Sequence, residues 1–347
     1  MSESPGMRFP AGTLLYPLRF GPIFQYRLWG GRHLEELMNV PLPDEGPIGE
    51  AWLLSDRDDH ASRVVDGPLA GWTLQDVLRV APRQLLGEGS RDFTRFPLLL
   101  KFLDAHQMLS VQVHPSDEQA KHLEDADSIG FGNGKTEAWV VLAASEHSRI
   151  YAGLEPGTEP DDLRALSAAT MPQHVASFTP KRGDAVFVPA GTVHCLGGDV
   201  VVFEVQQNSD VTYRIFDWDR IDPTTGQPRE LQVEAALACV DTSAGAVAPV
   251  VPVVESVEPV LRERLFCCEQ FRVWRLTGRS PFPVGALGKP RVLVAVDGDA
   301  DVDHDGDRYR LKRGEVLVLP AVVGVCVVRP IGDVTVLELS LPEAGAH

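Results

Sequence analysis

Two ten-residue segments of this 347-residue chain are nearly identical, and this repeat constrains the fold more than any other feature. Residues 181–190 read KRGDAVFVPA, and residues 312–321 read KRGEVLVLPA. A Gly turn followed by an apolar run and a Pro is typical of a turn that leads into a buried strand. The repeat therefore predicts that the same β unit occurs twice, as in a chain built from two small β-barrels.

The remaining sequence alternates short apolar runs with turn residues, and it predicts a mostly β fold with a few short helices. With the repeat, this favours two jelly-roll β-barrels. Apolar residues at helical spacing after Thr73 predict one helix. Ser116 and Gln119 predict a capping box that opens a second helix, over 117–124. The predicted strands are 14–19, 50–55, 97–103, 108–113, 137–143, 185–189, 200–206, 264–276 and 291–296.

A change in composition marks a predicted domain boundary. Residues 241–259 are rich in Ala, Val and Pro and have no clear period, which is typical of a linker. We therefore expect an N-terminal domain over 1–243, with helical insertions, and a C-terminal domain over 244–347.

The charge balance limits the possible partners. The chain has 32 Lys and Arg against 49 Asp and Glu, a net charge of −17. Such an acidic chain argues against binding to nucleic acids or anionic membranes, although a local basic cluster can still bind a small anion. Five cysteines without a C-x-x-C pair indicate neither a disulfide framework nor a thiolate zinc site. With no evident signal peptide or membrane span, we expect a cytoplasmic protein.

Four residues with metal-binding side chains stand in predicted strands. Gln112 and His114 are two residues apart, so they share one face of a strand. Glu137 opens another apolar strand, where an unpaired carboxylate would be unfavourable. His194 follows the first copy of the repeat and aligns with Val325 after the second copy. The set predicts an open Zn²⁺ or Fe²⁺ site in the first barrel only.

Further polar residues are candidates for catalysis or substrate binding. Glu204 lies on a predicted inward strand face, where it can act as a general acid or base. Arg214 can hold an oxyanion or phosphate through two hydrogen bonds, and Asp210 just before it is a candidate substrate contact. Lys101 and Ser110 are candidate phosphate contacts. The plain alternatives are a surface salt bridge, a solvated lysine and a serine at a strand edge.

Residues 301–306 read DVDHDG, which is the beginning of a calcium-binding loop. Lys312 takes the place of the glutamate that such a loop needs at its twelfth position, and strands are predicted on both sides. We therefore expect an acidic hairpin turn here.

Four separated segments together resemble the type I mannose-6-phosphate isomerases, and among these the short bacterial form. The segments LWGG (28–31) and GEAW (49–52) are also similar to that family. The resemblance covers most of residues 15–240. Its four main segments are FPLLLKFLDAHQMLSVQVHPSDEQA (96–120), GKTEAW (134–139), VPAGTVHCLGG (188–198) and EVQQNSDVTYRIFDWDR (204–220).

The resemblance implies two cupin barrels, one Zn²⁺ per chain and the interconversion of mannose 6-phosphate and fructose 6-phosphate. It places the zinc ligands on the four residues that strand spacing also indicated: Gln112, His114, Glu137 and His194. It places catalytic roles on Arg214, Lys135 and Glu204, and leaves open whether Lys135 or Glu204 transfers the proton. The implied phosphate contacts are Lys101 and Ser110.

Two other functions share parts of this pattern. Two histidines and a carboxylate also form the iron site of cupin dioxygenases, and a cupin can bind sugar without catalysis. The glutamine ligand and the segment around Arg214 favour the isomerase. The expected partner is a small phosphorylated sugar, with no nucleic acid and no membrane, and the sequence assigns no oligomeric state.

Overall fold

The structure is a computed structural model that describes residues 12, 14–43, 46–88, 93–122 and 133–341. The chain divides into two compact units. The central unit comprises residues 23–53 and 98–253, and the terminal unit comprises residues 1–22, 54–97 and 254–347. The terminal unit thus includes two N-terminal segments as well as the C-terminal one. The predicted domains 1–243 and 244–347 stay a prediction.

Strands predominate in the described residues. They are β1 Leu18–Phe20, β2 Ile23–Gly31, β3 Ile48–Leu54, β4 Leu98–Ala105, β5 Val111–Val113, β6 Glu137–Ala144, β7 Ile150–Leu154, β8 Val175–Phe178, β9 Ala185–Val188, β10 His194–Leu196, β11 Val200–Gln207, β12 Tyr213–Phe216, β13 Ile221–Asp222, β14 Gln227–Pro228, β15 Val253–Ser256, β16 Leu261–Cys267, β17 Arg272–Gly278, β18 Phe282–Gly285, β19 Arg291–His304, β20 Asp307–Leu311, β21 Val316–Leu319 and β22 Val325–Ser340. The mostly β fold is therefore confirmed.

The helices are short, as predicted. The α-helices are α1 His33–Met38, α2 Leu74–Val80, α3 Pro82–Leu86, α4 Asp117–Ala120, α5 Pro160–Arg164, α6 Met171–His174 and α7 Val233–Cys239, and a 3₁₀ turn covers Asp58–His60. Capping boxes at Thr73 and Ser116 open α2 and α4. The predicted continuation of α4 to residue 124 falls partly outside the described residues. No helix in the described ranges has the length and apolarity that a membrane span requires, and the cytoplasmic location stays a prediction.

Among its described residues, the central unit contains a two-stranded sheet, β13-β14, and two larger sheets. One has the strand order β2-β3-β4-β11-β6-β9, and the other has the order β12-β5-β10-β7-β8. Apolar side chains from both sheets, and from helices beside them, belong to one buried cluster. Along β11, Val200 and Val202 belong to this cluster, whereas Glu204 lies further along the same strand face. The same change from apolar to polar occurs along β4 and β6, so one end of this face is lined by charged residues.

The terminal unit is built around one large sheet with the order β1-β21-β19-β22-β17-β16-β15, in which β18 pairs with β22 and β20 pairs with β19. The antiparallel pairing of β1 with β21 brings the N-terminal segment into this sheet. The predicted hairpin at 301–306 is confirmed, because this segment forms the turn between β19 and β20.

The two copies of the repeat have the same local structure. In each, a glycine with positive φ, Gly183 or Gly314, donates to a carbonyl of the neighbouring strand, that of Val141 or Ala295. The strands that follow, β9 and β21, pair antiparallel with β6 and β19 in the same register. The prediction that one β unit occurs twice is confirmed for the turn and for the strand that follows it.

The shared register can be extended to the candidate site. Arg291 takes the position of Glu137, because each lies four residues before the equivalent residues Ala295 and Val141. On the next strand, Glu338 takes the position of Glu204, because Glu338 pairs with Leu293 as Glu204 pairs with Trp139. Val325 takes the position of His194 and pairs with Gly285, as His194 pairs with Gln112. The terminal unit therefore has no ligand side chain at these equivalent positions.

Candidate functional site

Nine of the ten predicted site residues line one cavity of about 300 Å³ within the central unit, and the tenth, His114, is buried next to Glu137 without lining the cavity. This volume is at the small end of the range for ligand pockets. Strand pairing sets up two rows of side chains. On one sheet Glu204 lies between Lys101 and Trp139, and on the other Gln112 lies between His194 and Arg214. The charged residues that line the cavity are Arg27, Glu50, Lys101, Lys135, Glu137, Glu204, Asp210, Arg214, Asp222 and Arg229.

Three of the four predicted ligands converge. His114, Glu137 and His194 are each 1% exposed, and one ligand atom from each lies within 4.8 Å of the others. Glu137 Oε2 is 3.4 Å from His114 Nε2, and Glu137 Oε1 is 3.3 Å from His194 Nε2. Two imidazoles and a carboxylate held this close form a donor set that divalent transition metals bind.

The hydrogen bonds of the two histidines orient them as ligands. His114 Nδ1 lies 2.8 Å from the carbonyl oxygen of Val211, and His194 Nδ1 lies 2.9 Å from that of Thr192. A carbonyl only accepts, so each Nδ1 carries the proton and each Nε2 presents a lone pair to the cluster. Burial lowers the pKa of both histidines, that of His114 to about 3, which keeps the rings neutral.

Glu137 carries the negative charge of the cluster. Burial opposes its ionisation, but the positive charge of Lys135 and the contact with His114 bring its pKa well below the usual value. Lys135 Nζ donates to Glu137 Oε2 and, over 3.0 Å, to His114 Nε2. Glu137 Oε1 is buried and has no hydrogen-bond partner. An unpaired anionic oxygen beside two imidazole lone pairs fits a bound divalent cation.

Gln112 is adjacent to this cluster, but its oxygen has another partner. Its Nε2 is 3.2 Å from His194 Nε2, and its Oε1 accepts a hydrogen bond of 3.0 Å from Ser110. A cation would bind the amide through oxygen, which requires a half-turn of the amide group. The Ser110 hydroxyl could then accept from the amide nitrogen. The role of Gln112 as a ligand stays a prediction.

Glu204 lies beside the cluster without belonging to it. Its Oε2 accepts a hydrogen bond of 2.9 Å from the indole of Trp139, whose ring packs edge-on against His194. Burial raises the pKa of Glu204, and the negative charge of Glu137 raises it further. A carboxyl group in such surroundings holds its proton more tightly than a solvated one, which suits a general acid or base.

Lys101 is surrounded by carboxylates. Its Nζ is 3.6 Å from Glu204, 3.8 Å from Asp210 and 4.0 Å from Glu50. Burial would raise the pKa of Glu50, but Lys101 and the bidentate Arg27 outweigh this and lower it to about 2. Asp210 is the more exposed of the three. This wall of the cavity is rich in hydrogen-bond acceptors.

Arg214 differs from the other cavity cations. Burial lowers its pKa, and the positive charge of Arg229 lowers it further. Within the described part of the chain, its guanidinium makes no hydrogen bond or ion pair, and its Nε is buried. The backbone is held on both sides by Gln232. The guanidinium therefore faces the cavity with its hydrogen-bonding capacity unused.

Sequence reasoning missed Arg27, Glu50 and Arg229, which also line the cavity. Glu50 could have been found from the sequence, because it lies in the GEAW segment that is similar to the family. Arg229 gave no local signal, because its partner Asp217 is twelve residues away.

Comparisons with known proteins agree with the geometry. A sequence model of the phosphomannose isomerase type I catalytic domain matches residues 18–151. The probable mannose-6-phosphate isomerase GmuF of Bacillus subtilis is 32% identical over 316 residues, which cover 90% of this chain and 95% of that protein. The mannose-6-phosphate isomerase ManA of the same organism is 33% identical over 316 residues and covers 89% of this chain and 94% of that protein.

The chain belongs to the type I mannose-6-phosphate isomerase family. A crystal structure of the mannose 6-phosphate isomerase from Bacillus subtilis, 27% identical, superposes with a TM-score of 0.84 over 94% of this chain and 99% of that one. Membership makes the chain an enzyme of the aldose–ketose isomerase class and confirms the resemblance that the four segments carried.

Proposed function

We propose that the chain interconverts mannose 6-phosphate and fructose 6-phosphate with one Zn²⁺, and that His114, Glu137, His194 and Gln112 hold the ion. The observation that carries this proposal is the buried meeting of two imidazole lone pairs with an unpaired carboxylate oxygen. Two neutral nitrogens and one anionic oxygen leave a bound divalent ion with a net positive charge. When bound, the ion supplies Lewis-acid polarisation of the sugar oxygens at C1 and C2.

The reaction moves a proton between C2 and C1 and needs a group that can take it and return it. We assign this role to Glu204, which lines the cavity beside the ligand set and is held in one orientation by Trp139. Lys135 is the other candidate, but its ammonium is engaged by Glu137 and His114. We assign Lys135 the neutralisation of Glu137, and Arg214 the stabilisation of the developing oxyanion.

The acceptor-rich wall around Lys101 fits the hydroxyl groups of a sugar. Glu50, Glu204 and Asp210 can accept from hydroxyl hydrogens, while the ammonium of Lys101 and the hydroxyl of Ser110 can donate to oxygens. Such contacts fix the orientation of the reacting carbons. Binding of groups remote from these carbons increases the reaction rate in this way. We therefore propose Lys101, Ser110 and Asp210 as substrate-binding residues.

The repeated β unit supports a two-barrel organisation of the cupin type, in which the second barrel has other side chains at the positions equivalent to Glu137 and His194. Val325 and Arg291 stand where His194 and Glu137 stand in the first. No observation favours an iron-dependent dioxygenase or a non-catalytic sugar-binding protein, and the named relatives are isomerases.

A pair of conservative substitutions tests the proposal. The zinc-loaded chain should convert mannose 6-phosphate to fructose 6-phosphate in a coupled assay. Glu137→Gln should lose both zinc and activity. Glu204→Gln should keep zinc, measured by atomic emission, and lose activity by about 100-fold or more. A wild-type chain without isomerase activity would refute the function, and full activity in Glu204→Gln would refute the role of Glu204.

A further inference from the structure

Four of the five basic side chains that line the cavity are paired with carboxylates. Arg27 is bound by Glu50, Lys135 by Glu137, and Lys101 has three carboxylates within 4.0 Å. Arg229, the fourth paired residue, is bound by Asp217. Its charge acts on the fifth basic residue, Arg214, so the two lie close to each other. Arg214 is therefore the one basic lining residue of the described chain without a carboxylate bound to it, and Arg229 lies near it.

Arg229 is fixed in place by Asp217. Its Nε and Nη2 donate to the two carboxylate oxygens of Asp217 over 2.8 and 2.6 Å. Asp217 is buried and does not line the cavity, so it binds Arg229 on the side that faces away from the cavity. Among the described residues, Nη1 of Arg229 has no hydrogen-bond partner. One edge of a rigid guanidinium thus remains available to the cavity.

The neighbourhood of Arg229 has more cations for each carboxylate than the neighbourhood of Lys101. Asp217 also accepts from Arg220, so one carboxylate is shared by two guanidinium groups. Asp222 lines the cavity and acts on Arg229, and it is already hydrogen-bonded to the hydroxyl and backbone of Thr224. Arg214 is a third cation here, and the charges of Asp217 and Asp210 both act on it. Around Lys101 and Arg27, two cations face three carboxylates, Glu50, Glu204 and Asp210, which would repel a phosphate.

We propose that Arg229, held by Asp217, is a specificity-determining residue that binds the phosphate of the substrate. This rests on the proposed function, because it assumes a phosphorylated sugar. A planar guanidinium whose back edge is fixed by a carboxylate presents its free edge at a defined angle, and little side-chain entropy is lost when an anion binds. Asp217 is accordingly a positioning residue.

Arg220 provides a matched control. It binds the same Asp217 and carries the same charge, but it does not line the cavity, and its Nη1 donates to the carbonyl of Met108 over 2.5 Å. Arg229→Gln should raise the KM for mannose 6-phosphate by about 10- to 100-fold, the effect of losing one charged hydrogen bond. Its kcat and zinc content should stay near wild type. Arg220→Gln should leave KM within about twofold of wild type, because no contact to the substrate is lost.

Two further variants separate positioning from folding. Arg229→Lys keeps the positive charge but loses the planar guanidinium that can donate two parallel hydrogen bonds. Its KM should therefore fall between those of wild type and Arg229→Gln. Asp217→Asn should raise KM and leave the zinc content and the far-ultraviolet circular dichroism unchanged. Equal increases in KM for Arg229→Gln and Arg220→Gln would overturn the inference, because the effect would then be one of general charge. An unchanged KM in Arg229→Gln would overturn it as well.

Binding of inorganic phosphate tests the inference without turnover. Calorimetric titration of the zinc-loaded chain with phosphate should show binding in wild type and in Arg220→Gln, and a loss of at least tenfold in affinity in Arg229→Gln. If the chain binds phosphate in this way but does not convert mannose 6-phosphate, the proposed function fails and the assignment of Arg229 stands. If it isomerises the sugar and Arg229→Gln binds phosphate normally, the assignment of Arg229 fails alone.

Discussion

Glu137 and Glu204 are buried carboxylates on neighbouring strands, yet their surroundings shift their pKa values in opposite directions. Burial acts on both, but Lys135 and two histidines lie next to Glu137, whereas Glu204 meets the negative charge of Glu137. One carboxylate therefore stays ionised and can bind a cation, and the other can carry a proton. Such a divergence is how similar side chains take different roles in one site.

The unpaired guanidinium of Arg214 leads to a prediction for catalysis. Arg214→Ala should lower kcat by about 100- to 1,000-fold, because a buried donor aimed at developing charge is lost. Zinc content, measured by atomic emission, should not change, since Arg214 touches none of the three clustered ligands. Loss of zinc in this variant would instead assign Arg214 a structural role.

A second prediction concerns stability and pH. Burial raises the pKa of Asp56 from 3.8 to about 6, even though the backbone of Phe96 and the charge of Arg95 act against it. The folded state therefore binds this proton more tightly than the unfolded state. The contribution of Asp56 to stability is complete below pH 4 and is lost as the pH rises through 6.

Asp56→Asn should remove this dependence, because the amide oxygen can still accept from Phe96 N–H and carries no charge. Relative to the variant, wild type should lose on the order of 2–3 kcal/mol of unfolding free energy between pH 4 and pH 7. Urea unfolding of both proteins across that range measures the difference. Parallel pH profiles would contradict the assignment.

Residue types and strand spacing were sufficient to predict that His114, Glu137 and His194 meet in one cluster, but not what surrounds it. His114, Glu137 and His194 were predictable, because few side chains bind metals and alternate strand positions share a face. The hydrogen bond between Gln112 and Ser110 was not, because amide orientation depends on neighbours in space. Arg229 was missed for the same reason: what makes it unusual is its contact with Asp217.

At the level of elements, the repeat predicted a duplicated β unit, and strand pairing shows how far the duplication extends. Glu338 occupies the place of Glu204 and is also buried. It accepts from Gly285 N over 2.8 Å and from Arg262 over 2.8 Å, and Arg291 Nε lies 3.7 Å away. The guanidinium of Arg291 thus lies close to this buried carboxylate, at the position that Glu137 takes in the central unit. No spacing rule could have predicted this replacement.

This arrangement predicts strong coupling between Arg291 and Glu338. Glu338→Gln should destabilise the chain by about 3–5 kcal/mol, because it removes the buried charge that binds Arg262 and lies beside Arg291. Arg291→Met should destabilise it less, because Arg262 still pairs with Glu338. The double variant should lose clearly less than the sum. Urea unfolding of the four proteins in the cycle gives the coupling energy.

The exposed pair Arg279 and Asp333 is a suitable control for that cycle. Its atoms are 2.7 Å apart, but both side chains are about three-quarters exposed. Its coupling should be about 0–1 kcal/mol. Additive effects at Arg291 and Glu338, similar to those of the control pair, would show that the contact between these two residues does not contribute to the free energy of unfolding.

For the whole molecule, the duplication predicts one metal ion per chain. The terminal unit has Gly285, Arg291 and Val325 at the positions of Gln112, Glu137 and His194, so within the described ranges the predicted ligand set occurs in the central unit alone. We expect 1 mol of zinc per mol of chain, as one ligand set implies. Chelation should abolish activity and lower the unfolding midpoint, and added zinc should restore both.

The size of that stabilisation follows from mass action. At a zinc concentration about 1,000-fold above Kd, the folded state should gain about 4 kcal/mol. Differential scanning calorimetry with and without chelator measures the effect. Two ions per chain, or an unfolding midpoint that does not respond to zinc, would contradict a single site in the central unit.

The pairing of β1 with β21 has a consequence for synthesis on the ribosome. Leu18 pairs with Val318, 300 residues later, whereas every residue of the central unit has been translated by position 253. At about 5–20 residues per second, the first strand waits roughly 15 to 60 s for its partner. The nascent polypeptide can therefore complete the unit that carries the cavity while its own N-terminal strand still has no neighbour in the sheet.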